Sequence, residues 1–536
     1  MTESPAKFTA ARRFALPLAL VLALGAVPAA GMTAFNQIVA ESVGGQAGLG
    51  DFYRARGFEG LWTGSDAATV ARRNALMTVF AGAATHGLPA SRYDTGTLIA
   101  RMQSAATLEE RAAVEVELSR LFLRYARDIR SGMLDPKRLG ITSHREVAQI
   151  DGAALLSRFA TSANPLAELQ ALAPQSPEYA RLLAAKLRLE TLIAAGGWGP
   201  TVRADRLDPG QSGPAVVALR DRLIAMGFLA PTYTDRYDAD VTAAVRAFQR
   251  ASGLAEDGVA GQGTLGMINT SAETRLTQVI VAMERERWLG DDRGARHIWV
   301  NIADYSARIF DNEIETFRTR SVVGALPDDR QTPEFSDEMD YMVVNPSWHV
   351  PRSIVVNEYL PQLRSNPYAV GHINVVNSSG RVVDRGSANF AQFTDRNFPY
   401  SMVQPPSTSN ALGLVKFMFP NPWNIYLHDT PSKDLFGRET RAFSHGCIRL
   451  ADPFDFAYAL LARQTDDPRG VFQRALDSGN ETRISLERPV PVHLDYRTAF
   501  TTPEGGLEFR RDVYGRDAVI WQALQAEGVA AAAVQG

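Results

Sequence analysis

The chain has 536 residues, more than a single hydrophobic core usually contains, so several domains are predicted. Hydrophobic residues make up 45% of the sequence and charged residues 21%, which is ordinary for a globular protein. The formal net charge is −3, so no basic excess favours nucleic-acid binding. We therefore exclude nucleic acid as a partner.

The first 34 residues are typical of an export signal. Lys7, Arg12 and Arg13 form a positive segment, and the uncharged apolar stretch 14–27 and small residues suited to signal-peptidase cleavage follow. The apolar stretch is short for a membrane-spanning helix, and an uncleaved anchor within 1–34 is the alternative. We expect the protein to work in the periplasm and to meet the membrane only through such an anchor.

Residues 46–205 are predicted to form an all-helical scaffold domain. Alanine, leucine and arginine dominate this region, and apolar residues recur every three or four positions in 67–84 and 108–127. That spacing is typical of amphipathic helices, and turns rich in glycine and proline separate them. We find no pattern of catalytic residue types here, so a supporting role is predicted.

A compact segment, residues 210–270, follows a linker rich in proline and glycine. Two short amphipathic helices and a turn at Asp257-Gly258 fit into about 60 residues, too few for an enzyme core. Together with Phe248-Gln249, this pattern resembles the three-helix peptidoglycan-binding module. The resemblance implies a peptidoglycan ligand, and a spacer without a ligand is the alternative.

A connecting helix at 271–292 leads into a region of different character. From 297 to 487, short runs rich in β-branched and aromatic residues alternate with Asp, Asn and Gly turns, which predicts a mostly β domain. Residues 488–536 form a C-terminal extension. The predicted fold class is multidomain α+β, with a helical scaffold, a small three-helix module and a mostly β domain that carries the site below.

Cys447 is the only cysteine of the chain and lies in Ser444-His445-Gly446-Cys447, 19 residues after His428. A loop of that length can return the thiol to the imidazole. The imidazole can then take the thiol proton, and the resulting ion pair would hold the cysteine pKa below about 8.5. Backbone N–H groups at Gly446 and Cys447 are suited to bind an oxyanion. The pattern predicts a cysteine nucleophile with His428 as its base.

Two other interpretations of these residues remain open at this point. The cysteine is an inert core residue in one of them, because free cysteine often packs as a small apolar side chain. His428, His445 and Cys447 bind zinc in the other. Two ligands in His445-Gly446-Cys447 are tightly spaced, however, and no fourth cysteine or histidine lies nearby. We therefore expect neither a metal nor a cofactor.

The window around Cys447 resembles the signature of the YkuD-type L,D-transpeptidases. That signature is a histidine, then Ser/Thr-His-Gly-Cys, an apolar residue and Asn or Arg, here Ile448 and Arg449. Further stretches resemble the large, YcbB-like branch of this family: Thr332-Pro333-Glu334-Phe335-Ser336, 345–351, 410–413, 426–431 and 512–517. Pro406-Ser407 departs from the Pro-Gly that the branch often has.

The resemblance implies that Cys447 attacks the diaminopimelate carbonyl of a peptidoglycan tetrapeptide stem and releases D-Ala. The amine of a second diaminopimelate would resolve the thioester into a 3→3 cross-link. His428 would act as base and then as acid, oriented by the backbone carbonyl of Asp429. His445 and Gly446 would shape the oxyanion site.

The resemblance also implies that Arg449, Ser444 and Tyr426 contact substrate and that 357–404 forms a capping lid. A carbapenem would acylate the cysteine. Peptidoglycan stem peptides are the expected donor and acceptor, and other cell-wall synthesis proteins are candidate partners. An L,D-carboxypeptidase or other hydrolase on the same fold, and a non-catalytic wall-binding protein, are the alternative functions.

Overall fold

The computed structural model describes residues 32–46 and 48–531. The predicted export segment, 1–34, therefore lies almost entirely outside the described residues. Among the helices that are described, none combines the length and the apolar composition needed to cross a membrane.

The N-terminal domain is helical, as predicted. Its longest helix begins at a capping box, in which the Thr107 hydroxyl accepts the Glu110 N–H and the Glu110 carboxylate accepts the Thr107 N–H. Midway along this helix the buried Glu115 carboxylate accepts backbone N–H groups of Trp62 and Thr63 at 2.9 Å, which ties the preceding loop to it. The helices are α1 (Ala34–Val43), α2 (Leu49–Ala55), α3 (Ala67–Ala81), α4 (Thr95–Ser104), α5 (Leu108–Arg130), α6 (Gly152–Thr161), α7 (Pro165–Gln170) and α8 (Pro177–Ala194).

The small module consists of α9 (Pro214–Ala225), α10 (Ala239–Ala251) and α11 (Gln262–Ile268) around its own apolar core. Gln249 organises the module, because its amide donates to Asp257 Oδ1 at 2.8 Å and accepts from Gly258 N–H at 2.9 Å. The connecting helix follows as α12 (Ala272–Leu289). The predicted three-helix architecture is confirmed.

A nine-stranded sheet forms the mostly β domain. Its strands are β1 (Arg296–Asn301), β2 (Ser306–Asp311), β3 (Ile314–Gly324), β4 (Phe335–Val344), β8 (Val415–Met418), β9 (Leu427–His428), β10 (Ala442–Ser444), β11 (Ile448–Leu450) and β12 (Thr482–Asp495). Their order is β10-β3-β11-β9-β8-β4-β12-β1-β2, and β2 also pairs with β3. Helices α15 (Pro453–Leu461) and α16 (Pro468–Asp477) contribute Phe456 and Phe472 to the core of this domain.

An insertion between β4 and β8 has its own sheet and its own core. Its elements are β5 (Trp348–His349), α13 (Arg352–Ile354), a π-helical turn (Val355–Tyr359), α14 (Leu360–Ser365), β6 (Asn374–Val376) and β7 (Ser401–Gln404). The predicted lid began at 357, but Val350 and Ile354 already belong to this core and Trp348 pairs with Gln404. The insertion therefore starts about ten residues earlier, because β5 closes its sheet.

The predicted boundary at 487/488 falls inside β12, which pairs with β4 on one side and β1 on the other. Pro489 and Pro491 suggest a strand end, since proline lacks the N–H of a ladder. A register shift between Ser485 and Val490 accommodates the interruption, and the strand continues to Asp495. The remaining elements are β13 (Ala499–Thr501), β14 (Leu507–Phe509) and α17 (Arg516–Ala526).

Candidate active site

Two short parallel strands, β9 and β11, bring the main sequence candidates together. Leu427 lies opposite Ile448, and His428 lies opposite Arg449. Side chains alternate between the faces of a strand, and Leu427 and Ile448 are both buried in the core. His428 and Arg449 therefore occupy the other face, together with Tyr426 and Cys447, which lie two residues before them. We call this the site face.

Lys416 joins the site face from β8, where it lies opposite His428. His428 thus sits between Lys416 and Arg449 in one row across three strands. Neither cation makes a hydrogen bond or an ion pair with any described residue, and the buried Arg449 Nε has no partner among them. Burial lowers the pKa of both groups. The sequence prediction missed Lys416, although a lysine between the apolar Val415 and Phe417 was a signal.

His428 is 4% exposed, and its Nδ1 lies 2.5 Å from the carbonyl oxygen of Asp429. An Nδ1–H that donates to this carbonyl leaves the Nε2 lone pair to accept a proton. Burial lowers the pKa of His428 to about 3; the charges of Arg449 and Lys416 add to the effect, and backbone carbonyls oppose it. The imidazole is therefore held neutral.

The Asp429 carboxylate has other partners than the imidazole. Its Oδ1 lies 2.6 Å from Lys433 Nζ, and its Oδ2 accepts the Leu414 N–H at 2.9 Å. It therefore ties the end of β9 to the residue before β8 and to Lys433, and of Asp429 only the backbone carbonyl meets His428.

Cys447 is half-buried, and its thiol donates to the Asn424 carbonyl at 3.4 Å. Burial raises the pKa of this thiol to about 11, although Tyr426 and Arg449 favour the thiolate. Burial thus opposes the predicted ion pair in the resting site, because desolvation penalises both charged partners. The structure favours a neutral thiol and a neutral imidazole.

Residues 444–447 form a tight turn, the motif turn, in which Gly446 has φ +112°. The Ser444 hydroxyl donates to the Cys447 carbonyl at 2.5 Å and accepts the Gly446 N–H at 3.1 Å. Ser444 was predicted to contact substrate, but it is 2% exposed and braces the turn. The Cys447 N–H makes no hydrogen bond within the described part of the chain, so it is free to meet an oxyanion.

His445 meets a residue that the sequence prediction missed. Its Nε2 lies 2.6 Å from Glu358 Oε1, and the same oxygen lies 2.9 Å from Arg330 Nη2. Glu358 belongs to the π-helical turn of the insertion, so the insertion contacts the motif turn directly. No local pattern could have identified Glu358, since it lies 87 positions from His445.

Two of the three side chains in the zinc interpretation have other partners. The ring of His445 binds Glu358, while the thiol of Cys447 binds Asn424. Within residues 32–46 and 48–531, no group of three or more His, Cys, Asp or Glu side chains is placed to hold a metal ion.

Comparison with known families assigns three parts of the chain. Residues 47–185 match the model described as "Scaffold domain", and residues 212–268 match the "Putative peptidoglycan binding domain". Residues 295–472 match the L,D-transpeptidase catalytic domain, YkuD. The last match includes the whole site face.

One curated relative aligns with this chain over part of its length. A Haemophilus influenzae protein described as "Putative L,D-transpeptidase" is 33% identical over 254 residues, which are 47% of this chain and 50% of that relative. The chain thus spans half the length of this curated relative.

Two solved structures were also matched. An L,D-transpeptidase from Xylanimonas cellulosilytica has 15% identity and a TM-score of 0.17, covering 55% of this chain and 98% of its own. A fused Zn-dependent amidase/peptidase/peptidoglycan-binding domain-containing protein from Clostridium acetobutylicum has 13% identity and a TM-score of 0.15, covering 54% and 99%. The chain thus joins an L,D-transpeptidase catalytic domain, YkuD, to a scaffold domain and a putative peptidoglycan-binding domain.

Proposed function

We propose that the protein is a periplasmic cysteine transpeptidase that cleaves the diaminopimelate–D-Ala bond of peptidoglycan tetrapeptide stems and forms 3→3 cross-links. The observation that carries this proposal is the site face, where Cys447 and the neutral base His428 lie beside two unpaired cations. The peptidoglycan-binding module supports the same substrate. The positive and apolar segments within 1–34 support export.

The first half-reaction forms a thioester. The Cys447 sulfur attacks the diaminopimelate carbonyl carbon while His428 Nε2 takes the thiol proton, and the Cys447 N–H binds the oxyanion. Proton transfer accompanies the attack, because both groups are neutral at rest. The carbonyl–nitrogen bond then breaks, and His428 returns its proton to the amine of the departing D-Ala.

The second half-reaction transfers the acyl group. The amine of a second diaminopimelate attacks the thioester carbonyl, and His428 takes a proton from that nitrogen. The carbon–sulfur bond breaks, an amide forms, and the proton passes to the sulfur to restore the thiol. If water took the place of the amine, the same steps would release a free tripeptide stem.

Lys416 and Arg449, which form no ion pair with a described residue, favour an anionic substrate. A terminal D-Ala carries a carboxylate close to the bond that breaks, and Arg449 lies two residues from Cys447 on the same face. The planar guanidinium suits such a carboxylate, which would provide the counter-ion that no described residue supplies to Arg449. Lys416, on the other side of His428, is placed to meet a second carboxylate of the stem.

Incubation of the purified protein with tetrapeptide-containing muropeptides tests this function. We expect mass spectrometry to show a tetrapeptide–tripeptide dimer together with free D-Ala. Monomeric tripeptide without dimer would identify a hydrolase, and unchanged muropeptides would contradict catalysis. Cys447→Ala is the matched control and should produce neither product, while its melting temperature stays that of the unsubstituted protein.

A further inference from the structure

Two stretches with no part in the chemistry above, 332–336 and 512–517, meet behind the motif turn. Thr332 is fully buried there. Its hydroxyl donates to the Gly446 carbonyl at 2.7 Å and accepts the Gly324 N–H at 2.8 Å. The hydroxyl thus donates one hydrogen bond and accepts another, both with backbone groups, and one of these groups belongs to the motif turn.

The backbone of Thr332 is itself held by the C-terminal extension. Arg516 Nη2 donates to the Thr332 carbonyl at 2.8 Å, and Arg516 Nη1 lies 2.9 Å from Glu334 Oε1. Glu334 also pairs with Arg285 of the connecting helix. Because these charged side chains are buried and paired, the segment that carries Thr332 has little freedom to move.

The scaffold domain holds the same segment from another side. The Glu334 N–H donates to the Thr142 carbonyl at 3.0 Å, and the His144 N–H donates to the Glu334 carbonyl at 2.8 Å. Gly324 completes the packing, because a Cβ there would overlap the carbonyl of Arg330. Scaffold, connecting helix and C-terminal extension therefore converge on the residues around Thr332.

The motif turn needs such a support. Gly446 lacks a Cβ and has a φ of +112°, so its own conformational preference restrains the turn weakly. In a planar trans peptide the carbonyl and the following N–H point in opposite directions. A hydrogen bond from Thr332 to the Gly446 carbonyl therefore directs the Cys447 N–H away from Thr332. That N–H has no partner among the described residues.

We propose that Thr332 is a positioning residue for acylation of Cys447. Its hydroxyl holds the Gly446–Cys447 peptide so that the Cys447 N–H already points to where the oxyanion develops, which avoids reorganisation during the reaction. Thr332 acts through this peptide and does not touch the substrate. The inference rests on the proposed function, since only an acyl transfer needs the oxyanion donor.

Two probes of the same thiol separate positioning from structural support. Imipenem acylates through an oxyanion, and the protein gains the full mass of the compound because the β-lactam ring opens without a leaving group. Iodoacetamide alkylates by displacing iodide and needs only the sulfur. Intact-mass time courses with both probes are compared for the unsubstituted protein, Thr332→Val, which keeps the shape, and Thr332→Ser, which keeps the hydroxyl.

We expect Thr332→Val to lower the acylation rate by about 10-fold or more. This effect should be smaller than that of removing an oxyanion donor directly. Its alkylation rate should stay within about 2-fold of the unsubstituted protein, and Thr332→Ser should restore acylation. If thermal melting shows that Thr332→Val does not fold, Thr332→Ala is used instead and is compared with Thr332→Ser by the same two probes.

Unchanged acylation in the variant without the hydroxyl would overturn the inference. So would an equal loss of both reactions, or a serine variant as slow as the valine variant, since each points to structural support alone. Failure of the proposed function gives a different result: the unsubstituted protein itself would be alkylated by iodoacetamide and never acylated by imipenem.

Discussion

Cations shielded from water have different partners in two regions of this molecule: they are fully buried and paired in one, and partly buried and unpaired with any described residue in the other. In one region, which we call the seam, charged residues join α12, the start of β4, the end of β12 and α17. There Arg516 lies 2.9 Å from Glu334, and Arg497 lies 2.6 Å from Glu286. On the site face, Lys416 and Arg449 form no ion pair with any described residue, although the charge of Glu481 acts on Lys416 from a distance.

The difference separates structural charges from functional ones. A buried charge costs free energy unless a partner of opposite charge compensates it. The seam supplies that partner from within the chain, so its arginines hold the domains together. The site face leaves two cations uncompensated beside the candidate nucleophile, which is the arrangement expected where a ligand brings the missing charge.

Removing the charge of one carboxylate in the seam should have the largest effect on stability. Glu334→Gln leaves Arg285 and Arg516 buried without that charge, and we expect a loss of about 3–5 kcal/mol in the free energy of unfolding. Urea denaturation measures it. Glu146→Gln is the control, because this exposed carboxylate pairs with Lys137 at the surface, where water screens the charges, and its loss should leave the free energy of unfolding nearly unchanged. Equal losses in the two variants would contradict the distinction.

Removing a cation from the site face should have the opposite consequence for stability. Arg449→Met and Lys416→Met each abolish an unpaired charge, so we expect a melting temperature that stays equal or rises. The kcat/KM for tetrapeptide muropeptides should fall by about 10- to 100-fold, which corresponds to losing the free energy of one charge-assisted hydrogen bond. Destabilisation of the size seen in the seam would show instead that these cations are structural.

The same substitutions should shift the pH profile of the reaction. The charges of Arg449 and Lys416 lower the pKa of His428, so either loss should raise that pKa from about 3 towards its ordinary value. A base is inactive when protonated, and the acid limb of kcat/KM should therefore move to higher pH in each variant. A limb that stays in place would argue against their influence on His428.

The smallest expected effect concerns the resting thiol. Burial raises the pKa of Cys447 to about 11, and the thiolate is the form that iodoacetamide alkylates. The alkylation rate should therefore keep rising beyond pH 9, whereas free cysteine, with its pKa near 8.5, levels off earlier. A plateau in the alkylation rate below pH 7 would instead support the thiolate–imidazolium ion pair that the sequence predicted.

Much of the architecture was predictable because local sequence patterns determine it. Apolar residues at helical spacing predicted the scaffold, and short β-prone runs between turns predicted the mostly β domain. The misplaced boundaries have a common cause. Pro489 and Pro491 imitate a strand end inside β12, and β5 is too short, at two residues, to be recognised before its partner β7 is known.

Sequence alone singled out Cys447 and His428, because a unique cysteine in a turn motif and an upstream histidine are local signals. Only the tertiary structure placed Lys416 beside His428, because that contact depends on the register of β8 and β9. It also placed Glu358 against His445 and Thr332 behind Gly446, and these contacts join segments 87 and 114 positions apart. It also supplies the burial that lowers the pKa of His428 and raises that of Cys447. A pKa depends on burial and on neighbouring charges, and neither exists until the strands pair and the domains pack.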